Sequence, residues 1–254
     1  MLAIERRAQI LEQLKREKRI LINQLSVKFG VSEETIRRDM EKLEQEGYVT
    51  RTYGGAVYNE DTRRELPYEI RKRTNVDAKL KIASAVADLI SDGDYIMLDE
   101  STTSTFVARA LKGMRNITLI TNSVEIVLEL ASDVQGWNIF CTGGLLKSNS
   151  LAFTGKRAES MIESYHVNVT VISCEGIDLE AGYTDSREET ALLKRSMMAS
   201  AKKVILAADS KKFGKVAFIN IGRFADLDVL VTDADPGPGW RACLEENGVK
   251  LVIA

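Results

Sequence analysis

Histidine and cysteine are scarce in this chain: one histidine and three cysteines in 254 residues. With His166 alone, Ser-His-Asp catalysis has a single candidate base and a multi-histidine metal site has no ligand set. Cys141, Cys174 and Cys243 are far apart and form no C-x-x-C pair. That spacing argues against a zinc site or a disulfide framework and suits a reducing cytoplasm. No run of about 18 apolar residues is present, so neither a transmembrane helix nor a membrane partner is expected. The first residues, MLAIERRAQILEQLKREK, are charged throughout and lack the apolar core of a secretory signal. Neither sign of charge is in large excess, the net charge being −2. What remains is the composition of an ordinary globular protein, 44% apolar and 28% charged. The length suffices for one large core, or for a small and a medium one. A cytoplasmic protein with no metal and no cofactor is the expectation.

The charge is divided unevenly. The first 73 residues hold 16 Lys and Arg against 13 Asp and Glu, and the remainder holds 19 against 24. A basic head on an acidic body suits a head that meets something anionic. Within the head, Ile10, Leu11 and Leu14 make a helical apolar stripe. Leu25 and Phe29 mark a second, short helix ended by Gly30. Ser32 is a good N-cap for a third helix that buries Ile36, Met40 and Leu43 and stops at Gly47. Two short helices joined by so tight a turn predict a helix-turn-helix. With Ile36, Met40 and Leu43 turned inward, Glu33, Thr35, Arg37, Arg38 and Lys42 cannot all share their face. Side chains near that helix N-terminus can reach base edges, and arginine can take a phosphate or bind guanine through two hydrogen bonds. Taken alone, Arg37 and Arg38 could equally be solvated surface charge. The next stretch, YVTRTYGGAVY, has two extended runs around Gly54-Gly55, which predicts a hairpin wing with Arg51, Thr52 and Tyr53 at its tip.

VSEETIRRDMEKLEQEGYVTRTYGGAV resembles the winged helix-turn-helix of the DeoR family of bacterial transcription regulators. Its T-I-R-R-D…L…G…R…Y-G-G-A pattern is met by Thr35, Ile36, Arg37, Arg38, Asp39, Leu43, Gly47, Arg51 and Gly54 to Ala56. The resemblance implies a DNA-binding domain over residues 1–57 and double-stranded operator DNA as partner. It points to Ser32, Glu33, Thr35, Arg37, Arg38, Lys42, Arg51, Thr52, Tyr53 and Gly54 as the residues that meet it. One winged helix with so slight a positive bias offers few phosphate contacts, so a homo-oligomer, at least a dimer, is expected.

Residues 58–74 are charge-dense, contain Pro67 and read as a linker. From 75 to 254, helical and short apolar extended segments alternate, which predicts βαβ units and a mostly parallel sheet. In such sheets ligands sit beyond the C-terminal strand ends. After YIML comes DESTTST and then a helix. Ser101, Thr102, Thr103 and Ser104 at its N-terminus offer N–H groups, hydroxyls and the positive end of the helix dipole to a phosphate. Capping alone would explain one such loop. Two more strands, however, end in Thr121-Asn122-Ser123 and in Thr142-Gly143-Gly144, where glycine allows close backbone approach. Three polar loops on one sheet edge point to a small anionic ligand, and Asp209, Lys211 and Lys212 add cationic charge after another strand.

These stations also match the DeoR sensor domain, similar in fold to ribose-5-phosphate isomerase, with its D-x-G-T-T, T-N-S, T-G-G and D-S-S-K-F-G motifs. The matching residues are Asp99, Thr102, Thr103, Thr121, Asn122, Gly143, Gly144, Asp209 and Lys212. Ser101 stands where glycine is usual and Lys211 where serine is usual, which leaves the effector's shape and charge open. Glu175 and Asp178 follow another strand and could read sugar hydroxyls or form a solvated turn. The resemblance implies an α/β sensor domain with a mostly parallel sheet, preceded by a small winged helix-turn-helix domain. It further implies a repressor of carbohydrate-metabolism genes, not an enzyme, whose DNA affinity is set by a phosphorylated sugar or sugar derivative. The rival is a sugar-phosphate isomerase-like enzyme in which Asp99, Glu175, Asp209 and Lys212 move a proton beside a carbonyl. The first 57 residues, which an isomerase does not need, favour the regulator.

Overall fold

The apolar stripes of the head become helices in a computed structural model of the chain, which describes residues 1–45, 48–58, 68–134 and 136–254. Residues 1–74 form one unit and residues 75–254 a second. Gly47 and residues 59–67, Pro67 among them, lie outside the described residues. The first unit runs α1 (Ala3–Glu17), β1 (Arg19–Leu21), α2 (Ile22–Phe29), α3 (Glu33–Gln45), β2 (Val49–Thr52), β3 (Gly55–Tyr58) and α4 (Tyr68–Arg73). Ile10, Leu11, Leu14, Leu25, Ile36, Met40 and Leu43 are all buried in its core. Ser32 caps α3, its Oγ accepting the Thr35 N–H at 3.2 Å, which satisfies one donor that the helix start leaves without a partner. Residues 68–73, within the stretch that reads as linker, are helical, and Ile70 joins the same core.

The wing differs from its expected geometry. Thr52 pairs with Gly55, so the turn is Tyr53-Gly54, and Arg51 lies within β2 opposite Ala56. The Glu44 carboxylate on α3 accepts both the Arg51 backbone N–H (2.9 Å) and its Nε (2.6 Å). That two-pronged grip draws Arg51 back onto α3 and away from the tip. The two glycines answer different demands. Gly54 has a φ of +78°, and a Cβ on Gly55 would collide with the Ile20 carbonyl oxygen of β1. The third strand, β1, completes an antiparallel sheet in the order β1-β3-β2. At three residues it is too short for alternation to show, and only its pairing with β3 makes it a strand.

Asp39, on the same helix as Arg37 and Arg38, is buried. Its carboxylate holds Arg6 Nε of α1 at 2.5 Å and Arg7 Nη1 at 3.6 Å, tying α3 to α1. Removing one member of a buried pair leaves the other charge uncompensated, at about 3–5 kcal/mol. Asp39→Ala is expected to lower the opening free energy of α1 and α3 by about 3 kcal/mol, read as faster amide hydrogen exchange in those helices. A loss below about 1 kcal/mol would mean that Arg6 simply turns out to water.

The second unit alternates as its sequence does. Its elements are α5 (Val76–Ala87), β4 (Tyr95–Leu98), α6 (Thr102–Ala110), β5 (Thr118–Thr121), α7 (Val124–Leu130), β6 (Asn138–Cys141), β7 (Leu145–Lys147) and β8 (Ala152–Thr154), then α8 (Lys156–Glu163), β9 (Val167–Ile172), β10 (Gly176–Asp178), β11 (Gly182–Asp185), α9 (Glu188–Ala199), β12 (Ala201–Ala207), β13 (Ile219–Gly222), β14 (Val229–Thr232), α10 (Pro238–Glu246) and β15 (Lys250–Ile253). Seven strands form one parallel sheet in the order β15-β14-β12-β9-β4-β5-β6. Side chains alternate across it, so both faces are apolar. Ile96, Leu98, Val169 and Val171 pack with Ile82, Phe106 and Ile126 of α5, α6 and α7. Met97, Ile172, Leu206 and Leu230 pack with Ile162, Leu193 and Leu244 of α8, α9 and α10. The hairpin β7–β8 and the antiparallel sheet β10-β11-β13 stand outside this sheet. No helix among the described residues is long and apolar enough to cross a membrane.

From β4 the chain builds β5 and β6 to one side, then returns to place β9 on β4's other side. The order reverses between β4 and β9, and in open α/β sheets a reversal of this kind leaves a crevice between the departing loops. This topology positions the second candidate site.

Candidate nucleic-acid interface and ligand site

On α3 the inward face is spent on Ile36, Met40 and Leu43, which leaves Glu33, Arg37, Arg38 and Lys42 exposed and Thr35 half-buried. Thr35 Oγ1 lies 2.9 Å from Ser32 Oγ, so both hydroxyls belong to the cap. Arg37 pairs with Glu33 at 3.2 Å and Arg38 with Glu34 at 3.3 Å, each one helical turn back. Exposed pairs of this kind hold weakly and give way to a phosphate or a base edge. Thr52, Tyr53 and Gly54 are exposed around the wing tip, Tyr53 completely so. The unit therefore offers one helix face and one hairpin tip with cationic and hydrogen-bonding groups free to be re-partnered.

In the second unit the parallel sheet brings every C-terminal strand end to one edge. After β4, the buried Asp99 carboxylate accepts the Ser101 N–H (3.1 Å), the Ser104 hydroxyl (2.5 Å) and the Ser173 N–H (2.8 Å) beyond β9. Ser101 caps α6 by accepting the Ser104 N–H at 3.0 Å. Thr102 and Thr103 are buried at the start of that helix, and their hydroxyls have no hydrogen-bond partner among the described residues. After β5, Thr121 Oγ1 donates to the Leu98 carbonyl (2.7 Å) and accepts the Ser123 N–H (3.1 Å), locking the two loops together. Asn122 is fully buried, and its Nδ2 donates to Glu100 Oε2 (2.9 Å) and to the Phe153 carbonyl of β8 (3.1 Å). After β6, a Cβ on Gly144 would lie 2.8 Å from the Thr154 carbonyl oxygen, so only glycine fits where β8 passes. Gly143 precedes it with a φ of +63°, in open space but in a backbone conformation that favours glycine.

Sequence patterns pass over the group at the centre. Lys194, on the inward face of α9, is buried with its Nζ 2.6 Å from Asp185 Oδ2, 3.4 Å from Asp99 Oδ2 and donating to the Ser173 carbonyl at 2.8 Å. Burial works against its charge, but Asp185, Asp99 and Glu100 outweigh that and hold the ammonium well above the usual lysine range. Beside them, burial pushes the Glu100 carboxyl up to about 7; Asp99 and Asp185 add to the rise, while Lys194 and the Asn122 hydrogen bond oppose it. The signal for Lys194 was a lysine in register with Thr190 and Met197 on a helix face that is otherwise inward. Glu100 and Asp185 gave no signal beyond their charge.

The remaining expected residues lie around this centre or apart from it. Asp209 after β12 is buried and accepts from the Lys211 N–H (3.1 Å) and Asn75 Nδ2 (3.2 Å). Burial pushes the Cys174 thiol, after β9, up to about 12, and the nearby positive charge of Lys212 works against that rise. Glu175 Oε1 accepts the Ser186 hydroxyl at 2.7 Å. Asp178 stands at the β10–β11 turn, where its Oδ1 accepts the N–H groups of Glu180 (3.0 Å) and Ala181 (2.9 Å).

Comparison with known proteins decides the family. Residues 6–62 match the DeoR-like helix-turn-helix domain, and residues 74–234 match the DeoR C terminal sensor domain. The chain belongs to the DeoR family of transcriptional regulators. It is similar to the uncharacterized HTH-type transcriptional regulator YulB of Bacillus subtilis, 41% identical over 99% of this chain and 96% of that protein. It is also similar to the HTH-type transcriptional repressor GlcR of the same organism, 36% identical over 98% and 95%. Among solved structures, ribose 5-phosphate isomerase A from Methanocaldococcus jannaschii overlaps 55% of this chain and 55% of its own at 15% identity and a TM-score of 0.41, too slight a likeness to bear on function. As a DeoR-family regulator the chain has a DNA-binding helix-turn-helix, and α2, α3 and the β2–β3 hairpin are that element.

The Glu100 carboxyl carries a pH signature. Unfolded, it titrates near its ordinary value of 4.5; folded, near 7. Between these values the folded chain holds a proton that the unfolded chain has released, so this group's contribution to stability falls as pH rises. The stability of wild type relative to Glu100→Gln is expected to fall as pH rises across that window in urea unfolding. A difference independent of pH would show that Glu100 titrates as an ordinary carboxylate.

Proposed function

We propose that the chain is a cytoplasmic repressor of carbohydrate genes, binding operator DNA as an oligomer of at least two copies and tuned by a phosphorylated sugar. Base and phosphate contacts fall to Arg37, Arg38 and Lys42 on α3, with Ser32, Glu33 and Thr35 at its N-terminus. Thr52, Tyr53 and Gly54 follow the adjacent backbone from the wing, and Arg51 does so with whatever part of its guanidinium Glu44 leaves open. Single alanine substitutions of Arg37 or Arg38 are expected to weaken operator binding by about 1–3 kcal/mol where a base contact is lost. Where the contact is to phosphate alone, the salt slope falls by roughly one unit instead. Unchanged operator affinity in the folded double variant removes α3 from the interface.

The observation that carries the effector reading is the start of α6. Thr102 and Thr103 present two unengaged hydroxyls at a helix N-terminus, at the point where the strand order reverses. Hydroxyls, N–H groups and the helix dipole can surround a dianion there without a buried countercharge. Lys212 supplies the charge-assisted contact from the next strand end but one. Asp99 and Thr121 hold the loops in place, Ser101 caps the helix, and Asn122 and Glu100 meet the sugar, while Gly143 and Gly144 give it room. Glu175 and Asp209 border the site; Asp178, engaged in its turn, contributes least. The L-fucose operon activator of Haemophilus influenzae, 31% identical over 96% of this chain, supports a sugar as the signal, and GlcR supports repression.

A ligand alters DNA affinity only by binding two conformations unequally, and typical coupling is about 1–3 kcal/mol. Thr103→Val and Lys212→Ala are expected to bind operator as wild type does but to lose the response to sugar phosphate. Operator titrations with and without effector decide this. If both variants respond at the wild-type effector concentration, the phosphate is held elsewhere. An isomerase reading of the same residues finds no use for the first unit.

A further inference from the structure

Asn122 is fully buried, and both of its Nδ2 contacts, Glu100 Oε2 and the Phe153 carbonyl, are acceptors. The amide therefore cannot be turned round, since that would set its oxygen against two oxygens. Among the described residues no donor reaches its buried Oδ1. Unsatisfied buried acceptors are rare enough to call for a partner, and only an O–H or N–H donor can be one; a carboxylate oxygen cannot.

Glu100 sits on the same amide. It is 3% exposed, and no hydrogen bond but that from Asn122 reaches it among the described residues. The charges facing it are Asp99 on its own loop, Lys194 from α9 and Asp185 from β11. Lys194 is already matched by two carboxylates and a carbonyl oxygen. Among the described charges that act on Glu100, Lys194 is the one cation, so none is left over for an acidic ligand group, and Glu100 can add a further negative charge. We propose that Glu100, through Asn122, selects ligands that face Asn122 with a neutral hydroxyl donor and rejects those that place a carboxylate there. The site would thus take sugar phosphates or polyol phosphates and refuse phosphorylated sugar acids. This rests on the sugar-phosphate reading of the site.

The test is calorimetric titration of the full chain with ribose 5-phosphate, fructose 6-phosphate and glucose 6-phosphate, against 5-phosphoribonate and 6-phosphogluconate. Wild type and Glu100→Gln are compared; glutamine keeps the acceptor for Asn122 Nδ2 and removes the charge. At about pH 8, wild type is expected to bind a neutral-ended ligand at least roughly tenfold more tightly than the corresponding acid, and the variant to narrow that ratio roughly tenfold. In wild type the ratio also narrows between about pH 8 and about pH 6, as Glu100 takes up a proton. Both ligands of a pair carry the same phosphate, so its own titration cancels, and this measurement stands even if the variant does not fold. A ratio unmoved by either change, or acids bound as tightly as neutral ligands, overturns the selection while leaving the sugar-phosphate site intact. Failure of all five ligands to bind wild type overturns both.

Discussion

Lys194 is the group on which the second unit's loops depend. A buried ammonium is tolerated only where it is paired and fully hydrogen-bonded. Here its partners come from three places that the chain reaches at different times: Asp99 after β4, the Ser173 carbonyl after β9 and Asp185 at the end of β11. Asp99 in turn receives Ser101, Ser104 and Ser173, so one charge fixes the start of α6 and the mouth of the β4–β9 crevice together. Without the ammonium, two buried carboxylates would face each other, at a cost of about 3–5 kcal/mol for the broken pairing. The hydroxyl-rich loop is thus held rigid by a network that spends none of the Thr102 and Thr103 donors.

The first unit uses a buried ion pair in the same way. Asp39 and Arg6 fasten α3 to α1, and the aliphatic residues on the same helix face complete the attachment. Arg37 and Arg38, two and one residues before Asp39, remain on the outside with only single-turn partners. In both units a buried charge pair immobilises an element so that neighbouring residues stay available. The acidic residues of α3 are divided in the same way: Asp39 is buried against α1, and Glu33 and Glu34 lie one turn back as the exposed partners of Arg37 and Arg38.

Much of this was legible in the sequence, and what was not has physical reasons. The three head helices, their stripe residues and the Ser32 cap follow from spacing, because helix packing and capping are local. All seven strands of the main sheet contain short apolar runs in the sequence, YIML of β4 among them. Strands β1, β7, β8, β10, β11 and β13 are short and acquire their character from partners distant in sequence. Arg51 looked like a tip residue because its hold on Glu44 is a contact between elements. Asp99, Thr102, Thr103, Thr121 and Asn122 were visible as polar residues after apolar strands. That Lys194, Asp185 and Glu100 meet was not, since neither the register of Lys194 on α9 nor the polar loop that holds Glu100 tells which charges will be buried together.

The central claim is that one ligand spans the crevice, with its phosphate on the α6 N-terminus and a hydroxyl on the unsatisfied Asn122 Oδ1. A crystal structure of the full chain with a bound sugar phosphate tests it most directly. The expected result has phosphate oxygens within hydrogen-bond distance of Thr102 and Thr103 and a sugar hydroxyl donating to Asn122 Oδ1. A phosphate bound away from α6, or an Asn122 still without a donor beside an occupied site, would contradict it.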